Sequence, residues 1–377
     1  MRGPVGKAVA LGVVAVLAAA CSSGSPSGSS RPHRPAASAT SATGSGTPAM
    51  SKVKACLVTD TGGIDDHSYN AASWQGIREA EAAGPGKITG AYLQSGSASE
   101  YTPNIDRFTG EHCGIIITVG LLMGDNTEAA AKADPAQKFA IVDYRFSPPI
   151  ANVDALMFNT VQDSFLGGYL AAGMTKTGKV ATFGGEQLPT VTSYMDGFWD
   201  GVRYYNSQHH THIAVLGWDE PAQQGSFAGN FTSETAGQAL AQTFIREGAD
   251  IIFPVAGDAG LGSARAVQDA DAAAGGDRVN MLWSETDGCV SAPQYCKYFI
   301  SSVTPGVQTA VKDAILSAAE GTFRGGTYVG GLANGGVALA PFHDFAGKVP
   351  APLQAELATV RADIENGTIA PATKSPV

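Results

Sequence analysis

The chain has 377 residues, a formal net charge of −10 and 44% hydrophobic residues. An acidic balance of that size argues against a nucleic-acid partner, and the length suits two lobes without requiring more. Charged residues are only 15% and glycines number 47, which fits a tightly turned α/β sheet protein better than a helical bundle.

Residues 1–20 begin with a short basic segment (Arg2, Lys7) and continue as an apolar run from Ala8 to Ala20. That reads as an export signal, too short and too rich in alanine for a membrane span. Leu17-Ala18-Ala19-Ala20-Cys21 resembles a bacterial lipobox, with Leu one place further from the cysteine than usual, so Cys21 is the expected lipidation site. Residues 21–52 are then the lipidated cysteine and a disordered tether. Residues 22–51 are mostly Ser, Pro, Gly, Ala and Thr and bury too little to offset chain entropy. As a flexible linker this segment has a reach of roughly 30 Å. The expectation is an exported protein anchored to the outer face of the cell membrane.

The apolar run 53–58 reads as a buried parallel strand, and Ala72, Gly76, Ile77, Ala80 and Ala83 recur at helical spacing. Between them lies Thr59-Asp60-Thr61-Gly62-Gly63-Ile64-Asp65-Asp66-His67-Ser68-Tyr69-Asn70. Such a strand–loop–helix corner is where an open α/β sheet presents backbone N–H groups and a helix N-terminus to a ligand. Gly62 and Gly63 permit tight turns, Asp60, Asp65 and Asp66 supply acceptors, and Tyr69 offers an aromatic face. Either Asp66 or Ser68 caps the helix.

Further strand-like runs fall at 88–93, 114–119, 139–142, 155–158, 180–183, 213–216, 251–255, 279–283 and 299–303. Helical patterns intervene, among them 165–174, 236–247 and 307–320. Strand and helix in strict turn predict parallel, doubly wound sheets, and ten strands are better divided between two sheets and two lobes. The expected lobes are 53–159 plus 299–322, and 160–298 plus 323–371.

Cys56 and Cys113 begin strands that would be sheet neighbours, and Cys289 and Cys296 bracket a turn-rich loop. In an exported chain such an even set predicts disulfides, with buried free thiols the alternative for Cys56 and Cys113. No metal site is expected: neither pair is CxxC, and no histidine accompanies them at ligand spacing. His209, His210 and His212 read as a solvated loop. Enzyme motifs are missing from the folded part, and Gly257-Asp258-Ala259-Gly260-Leu261-Gly262 has the wrong spacing for a dinucleotide loop. Adjacent Asp65 and Asp66 are poorly disposed to flank a glycosidic bond.

The 59–70 loop resembles the signature of the basic membrane protein family, substrate-binding lipoproteins of ABC transporters that include purine nucleoside receptors. There the loop runs roughly Thr-Asp-x-Gly-Gly-x-x-Asp-x-Ser-Phe-Asn and is followed by Trp-x-Gly, matched here by Trp74 and Gly76. The resemblance extends from about residue 53 to 369, strongest at the first loop. It implies a two-lobe type I periplasmic-binding-protein fold, two doubly wound parallel sheets joined by a hinge of three strands, with the ligand in the cleft.

Carried over by position, the resemblance places Tyr69 and Phe231 as stacking partners for a base, with Phe227 a rival to Phe231. It places Asp60, Asp143, Glu285 and Asp287 on sugar and base edges, and Gly257 and Gly260 in a glycine loop. Asp143 after its strand reads as a site residue or a helix cap, and Glu285 as a site residue or the partner of a surface cation. Thr61, Gly62, Asp65, Asp66, Ser68, Asn70, Gly120 and Asp258 complete the expected ligand set. Many members carry Ser-x-x-Lys after the strand returning to the first lobe. Here Pro305 occupies the lysine position, implying that a standard ribonucleoside is not held in the standard way.

The combined expectation is a lipoprotein, not an enzyme, that captures a nucleoside-like ligand and delivers it to an ABC permease. The alternative is a ligand-sensing lipoprotein signalling to a membrane partner. No cofactor is implied.

Overall fold

The computed structural model describes residues 50–374. The expected export signal, Cys21 and nearly all of the tether therefore lie outside the described residues. Chain order begins with five strands and three helices: β1 (Val53–Val58), α1 (Tyr69–Ala83), β2 (Ile88–Leu93), α2 (Tyr101–Gly110), β3 (Ile115–Val119), α3 (Gly124–Ala133), β4 (Phe139–Val142) and β5 (Val153–Phe158). β1, β3 and β4 are almost wholly buried apolar residues, as strands covered by helices on both faces must be.

The second half continues with α4 (Thr160–Met174), β6 (Lys179–Gly184), α5 (Pro189–His209), β7 (Ala214–Leu216), and a short ribbon of β8 (Trp218–Asp219) and β9 (Gln224–Gly225). Then come α6 (Glu234–Arg246), β10 (Ile251–Val255), α7 (Ala259–Ala274), β11 (Asn280–Ser284), α8 (Gly288–Ser291) and β12 (Phe299–Pro305). The chain closes with α9 (Val307–Glu320), β13 (Gly326–Gly330), β14 (Val337–Leu339) and α10 (Ala351–Glu365).

These strands build two six-stranded sheets, ordered β13-β5-β4-β3-β1-β2 and β14-β12-β11-β10-β6-β7. All neighbours are parallel except β14, which runs antiparallel to β12. The chain passes between the sheets three times: from β5 into α4, from β12 into α9, and from β13 to β14. Loops that follow β1, β3 and β4 of the first sheet and β6, β10 and β11 of the second line one cleft.

The expected lobe assignment needs correcting after residue 298. β12 was expected in the first lobe, yet it pairs with β11, Leu282 opposite Ser301, in the second sheet. The return occurs one element later: α9 packs on α1, bringing the Gln308 carbonyl against Gly76. β13, expected in the second lobe, pairs with β5 in the first sheet. β14 and α10 do lie with the second sheet, where Tyr169 of α4 donates to Glu356 at 3.0 Å. An apolar strand followed by a helix reads alike whichever sheet receives it, so periodicity carries no information about its neighbour.

Both cysteine pairs are joined, Cys56 to Cys113 and Cys289 to Cys296. The first clamps β1 to the approach of β3, inside a buried cluster with Tyr101, Ile105 and Phe108. The second closes the loop around α8. Among the described residues no helix is long and apolar enough to cross a membrane.

Candidate functional site

The loop between β1 and α1 is shaped by one side chain. Asp66 Oδ1 accepts from the Ser68 and Ala71 N–H groups, each at 2.9 Å. Its Oδ2 accepts from the Asn70 N–H at 3.1 Å and from Asn70 Nδ2 at 2.9 Å. Asp66 thus satisfies the free N–H groups of the first helical turn, while Ser68, at the cap position, makes no capping bond. Asn70 Nδ2 also reaches Asp60 Oδ1 at 2.6 Å, tying the end of β1 to the start of α1.

Freed from capping, Ser68 donates its hydroxyl across the cleft to Glu285 Oε2. Three further bonds run from this loop to the second lobe. The Tyr69 and Tyr194 hydroxyls meet at 2.9 Å, His67 Nδ1 lies 2.9 Å from Asp258 Oδ1, and Thr286 donates to the His67 carbonyl at 2.6 Å. The lobes are therefore latched at the mouth of α1, and the cleft between them is a cavity. It holds about 700 Å³ of space between atoms, its open mouth included.

Acids stand at the strand ends. Asp143 follows β4 and Glu285 follows β11, and both take left-handed backbone, with φ +66° and +73°. That conformation is uncommon outside glycine and strained for glutamate, and such outliers collect where function demands them. Gly120, after β3, has φ +96°, and a Cβ there would stand 2.9 Å from Asp60 Oδ2. Only glycine leaves that carboxyl its place.

Burial raises the proton affinity of all four lining acids. Asp143 is pushed up to about 7 by burial, opposed by the Thr190 hydroxyl. Glu285 reaches about 8, through burial first and repulsion by Asp66, Asp143 and Asp60, with Ser68 opposing. Asp66 rises to about 6 by burial despite its backbone bonds, and burial lifts Asp60 as well. His67, paired with Asp258, is raised instead by that carboxylate.

Of the residues expected at the site, Asp60, Thr61, Gly62, Asp66, Ser68, Tyr69, Gly120, Asp143, Phe231, Gly257 and Glu285 line the cavity. Phe231, not Phe227, faces it. The Phe231 ring lies so close over Gly185 that a Cβ there would come within 2.3 Å, whereas Phe227 packs edge-on against Trp218.

Five expected residues are placed elsewhere. Asp65 is exposed, Asn70 is buried beneath the wall, Asp258 is turned to His67, and Gly260 lies under Trp283. Asp287 accepts from the Cys289 N–H at 3.1 Å and pairs with His343 Nε2 at 2.8 Å, capping α8 outside the cavity. His343 thus joins Asp287 and Cys289 in space from far along the chain, but Cys289 is spent in its disulfide and offers no thiolate. Pro305 pairs with Val337 between strands and does not line the cavity.

Leu121, Leu122, Leu188, Thr190, Val191 and Tyr194 complete the wall and were not expected. The signal for most of them was available. β3 and β6 also end in glycine before a helix, so the corner logic applied to β1 points to these loops too.

A sequence profile of the Bmp family, described as ABC transporter substrate-binding protein PnrA-like, matches residues 53–377. The chain belongs to the Bmp family. It is 30% identical over 344 residues to the ABC transporter nucleoside-binding protein BmpA of Lactococcus lactis, covering 88% of this chain and 89% of that protein. It is 26% identical over 223 residues to basic membrane protein A of Borreliella burgdorferi, covering 59% and 61%. Among solved structures, an ABC transporter solute-binding protein from Aeropyrum pernix aligns with a TM-score of 0.75 at 22% identity, over 86% of this chain and 94% of that one. This Bmp protein therefore has the periplasmic-binding-protein fold, and belongs with solute-binding proteins of ABC systems.

Proposed function

We propose that this Bmp protein captures a nucleoside-like ligand between its lobes and delivers it to an ABC permease while held at the membrane through Cys21. The observation that carries the ligand class is the pairing of Tyr69 and Phe231, contributed by opposite lobes to one cavity also lined by carboxyl groups. A base has two π-faces and takes an aromatic partner on each. Vicinal sugar hydroxyls find acceptors in the carboxyl oxygens of such a wall.

Capture follows from the latch. Ser68, Tyr69 and His67 reach the second lobe only when the lobes meet, so a ligand filling the cavity and these bonds stabilise the same closed form. A permease that reads the closed form then distinguishes loaded from empty protein. The lipid anchor and the permease are supported by the sequence of residues 1–52 and by the family.

The test is a thermal-shift panel of nucleosides, free bases and sugars. A ligand at about 1,000 times its Kd stabilises the protein by about 4 kcal/mol, easily resolved as a shift in Tm. Nucleosides are expected to stabilise more than their separate bases or sugars. Stabilisation by sugars or amino acids, with none by any nucleoside, overturns the assignment.

A further inference from the structure

The cavity wall is one-sided in charge. Asp60, Asp66, Asp143 and Glu285 line it, and no Lys, Arg or His stands among the described lining residues. The four acids are not equivalent. Asp66 spends both oxygens on four N–H donors of its own loop, as a carboxylate kept for structure does. The other three keep acceptor capacity. Among the described residues, Asp60 is met on Oδ1, Glu285 on Oε2 by Ser68, and Asp143 by the Thr190 hydroxyl.

Backbone strain aims two of these acids. Asp143 and Glu285 both sit in left-handed backbone at a strand end, with 6% of each residue exposed. Charges of one sign in a water-poor space raise each other's cost of ionisation. Glu285 is repelled by Asp66, Asp143 and Asp60, and the neutral groups facing it and Asp143 are Ser68, Thr190 and the Tyr69 and Tyr194 hydroxyls. Among the described residues lining the cavity, no Lys, Arg or His faces either acid. Hydroxyl donors of a neutral sugar fill lone pairs but leave the charges uncompensated.

We propose that the ligand of this cavity is a nucleoside-like molecule bearing a positive charge, on its ring or as an amine on its sugar, met by Asp143, Glu285 and Asp60. The proposal rests on the nucleoside reading above and narrows it. Without ligand, burial holds protons on Asp143 up to about 7 and on Glu285 up to about 8. A cationic ligand displaces those protons, so its affinity rises as pH increases through this range. A neutral ligand that accepts from the protonated carboxyls behaves oppositely.

The experiment is calorimetry on the full mature chain with two matched pairs. N1-methyladenosine, cationic near neutral pH, is compared with its neutral isomer N6-methyladenosine, and 5′-amino-5′-deoxyadenosine with adenosine. The cationic member of at least one pair is expected to bind at least about tenfold tighter at about pH 7.5. Its binding should release protons, seen as a heat that varies with buffer ionisation enthalpy. Asp143→Asn or Glu285→Gln, each first shown to unfold as cooperatively as the native protein, should shrink the preference. Neutral members binding equally or better in both pairs, with affinity falling as pH rises, overturn the inference and leave the nucleoside reading standing. Binding by none of the four overturns both.

Discussion

Replacing Ser68 by alanine separates closure from folding. Ser68 occupies the cap position of α1, where loss of a hydroxyl ordinarily costs about 1 kcal/mol of helix stability. Here Asp66 makes the capping bonds and Ser68 makes none. The Ser68 hydroxyl goes to Glu285 across the cleft, so the cost should fall on the closed state alone. Below about pH 8 Glu285 is largely protonated, and a bond to a neutral carboxyl is worth about 1 kcal/mol. The ligand-competent fraction should drop accordingly, weakening apparent affinity about fivefold. Above that pH the acceptor is charged, and the loss should grow toward ~1.5–3 kcal/mol. Thermal unfolding without ligand, calorimetry at two pH values, and small-angle scattering of the liganded form measure the three parts. Unchanged affinity at both pH values, or a clear fall in Tm without ligand, would refute this division of labour between Asp66 and Ser68.

Tyr69→Ala should weaken ligand binding by about 1–3 kcal/mol, taking base stacking in single-stranded nucleic acids as the guide. Unchanged calorimetry would remove Tyr69 from the ligand wall. Breaking Cys56–Cys113 opens a link spanning 57 residues, which loop entropy values at roughly 4 kcal/mol, so Cys56→Ser with Cys113→Ser should lower the urea midpoint strongly. A midpoint that does not move would mean that the unfolded chain is not constrained by the link. Cys21→Ser, in a bacterial host that lipidates exported proteins, should release the protein from membranes or stall its processing. A native form recovered only as soluble, non-acylated protein would dismiss the anchor.

Legibility along the chain followed the density of constraint. The loop from Thr59 to Asn70 packs glycines, acids and an aromatic into a dozen positions, and seven of these line the cavity or hold the latch. The corner after β6 was marked by its glycine, but which residues of α5 form the wall was opaque, because Thr190, Val191 and Tyr194 are ordinary residues for a helix start. Their role appears only once α5 is placed opposite α1. The exchange of β12 and β13 between sheets was opaque for a related reason. Apolar alternation shows that a strand is buried but says nothing of its partner, and β13 and β14 are short and rich in glycine nearby.

The pair Glu285 and Asp287 shows where positional matching stops working. Both are acids two residues apart beyond the same strand, and the family resemblance places both on the ligand. Left-handed backbone at Glu285 turns its side chain into the cavity, held by a bond from its N–H to the Val303 carbonyl at 2.7 Å. Beyond it the chain has already begun the turn into α8, and Asp287 takes the cap of that helix. A cap and a ligand contact make the same demand of a carboxylate, namely unpaired N–H or O–H donors within reach. Residue type therefore cannot separate them, and only the direction of the backbone does. Asp66 and Asp60 repeat the distinction in the first loop. One acid is consumed by backbone N–H groups, and the other keeps an oxygen for the cavity. An acid in this fold is best read by counting the donors already committed to it. By that count Asp60, Asp143 and Glu285 are the three whose removal should change what the cleft binds, while Asp66 is the one whose removal should change whether the loop forms.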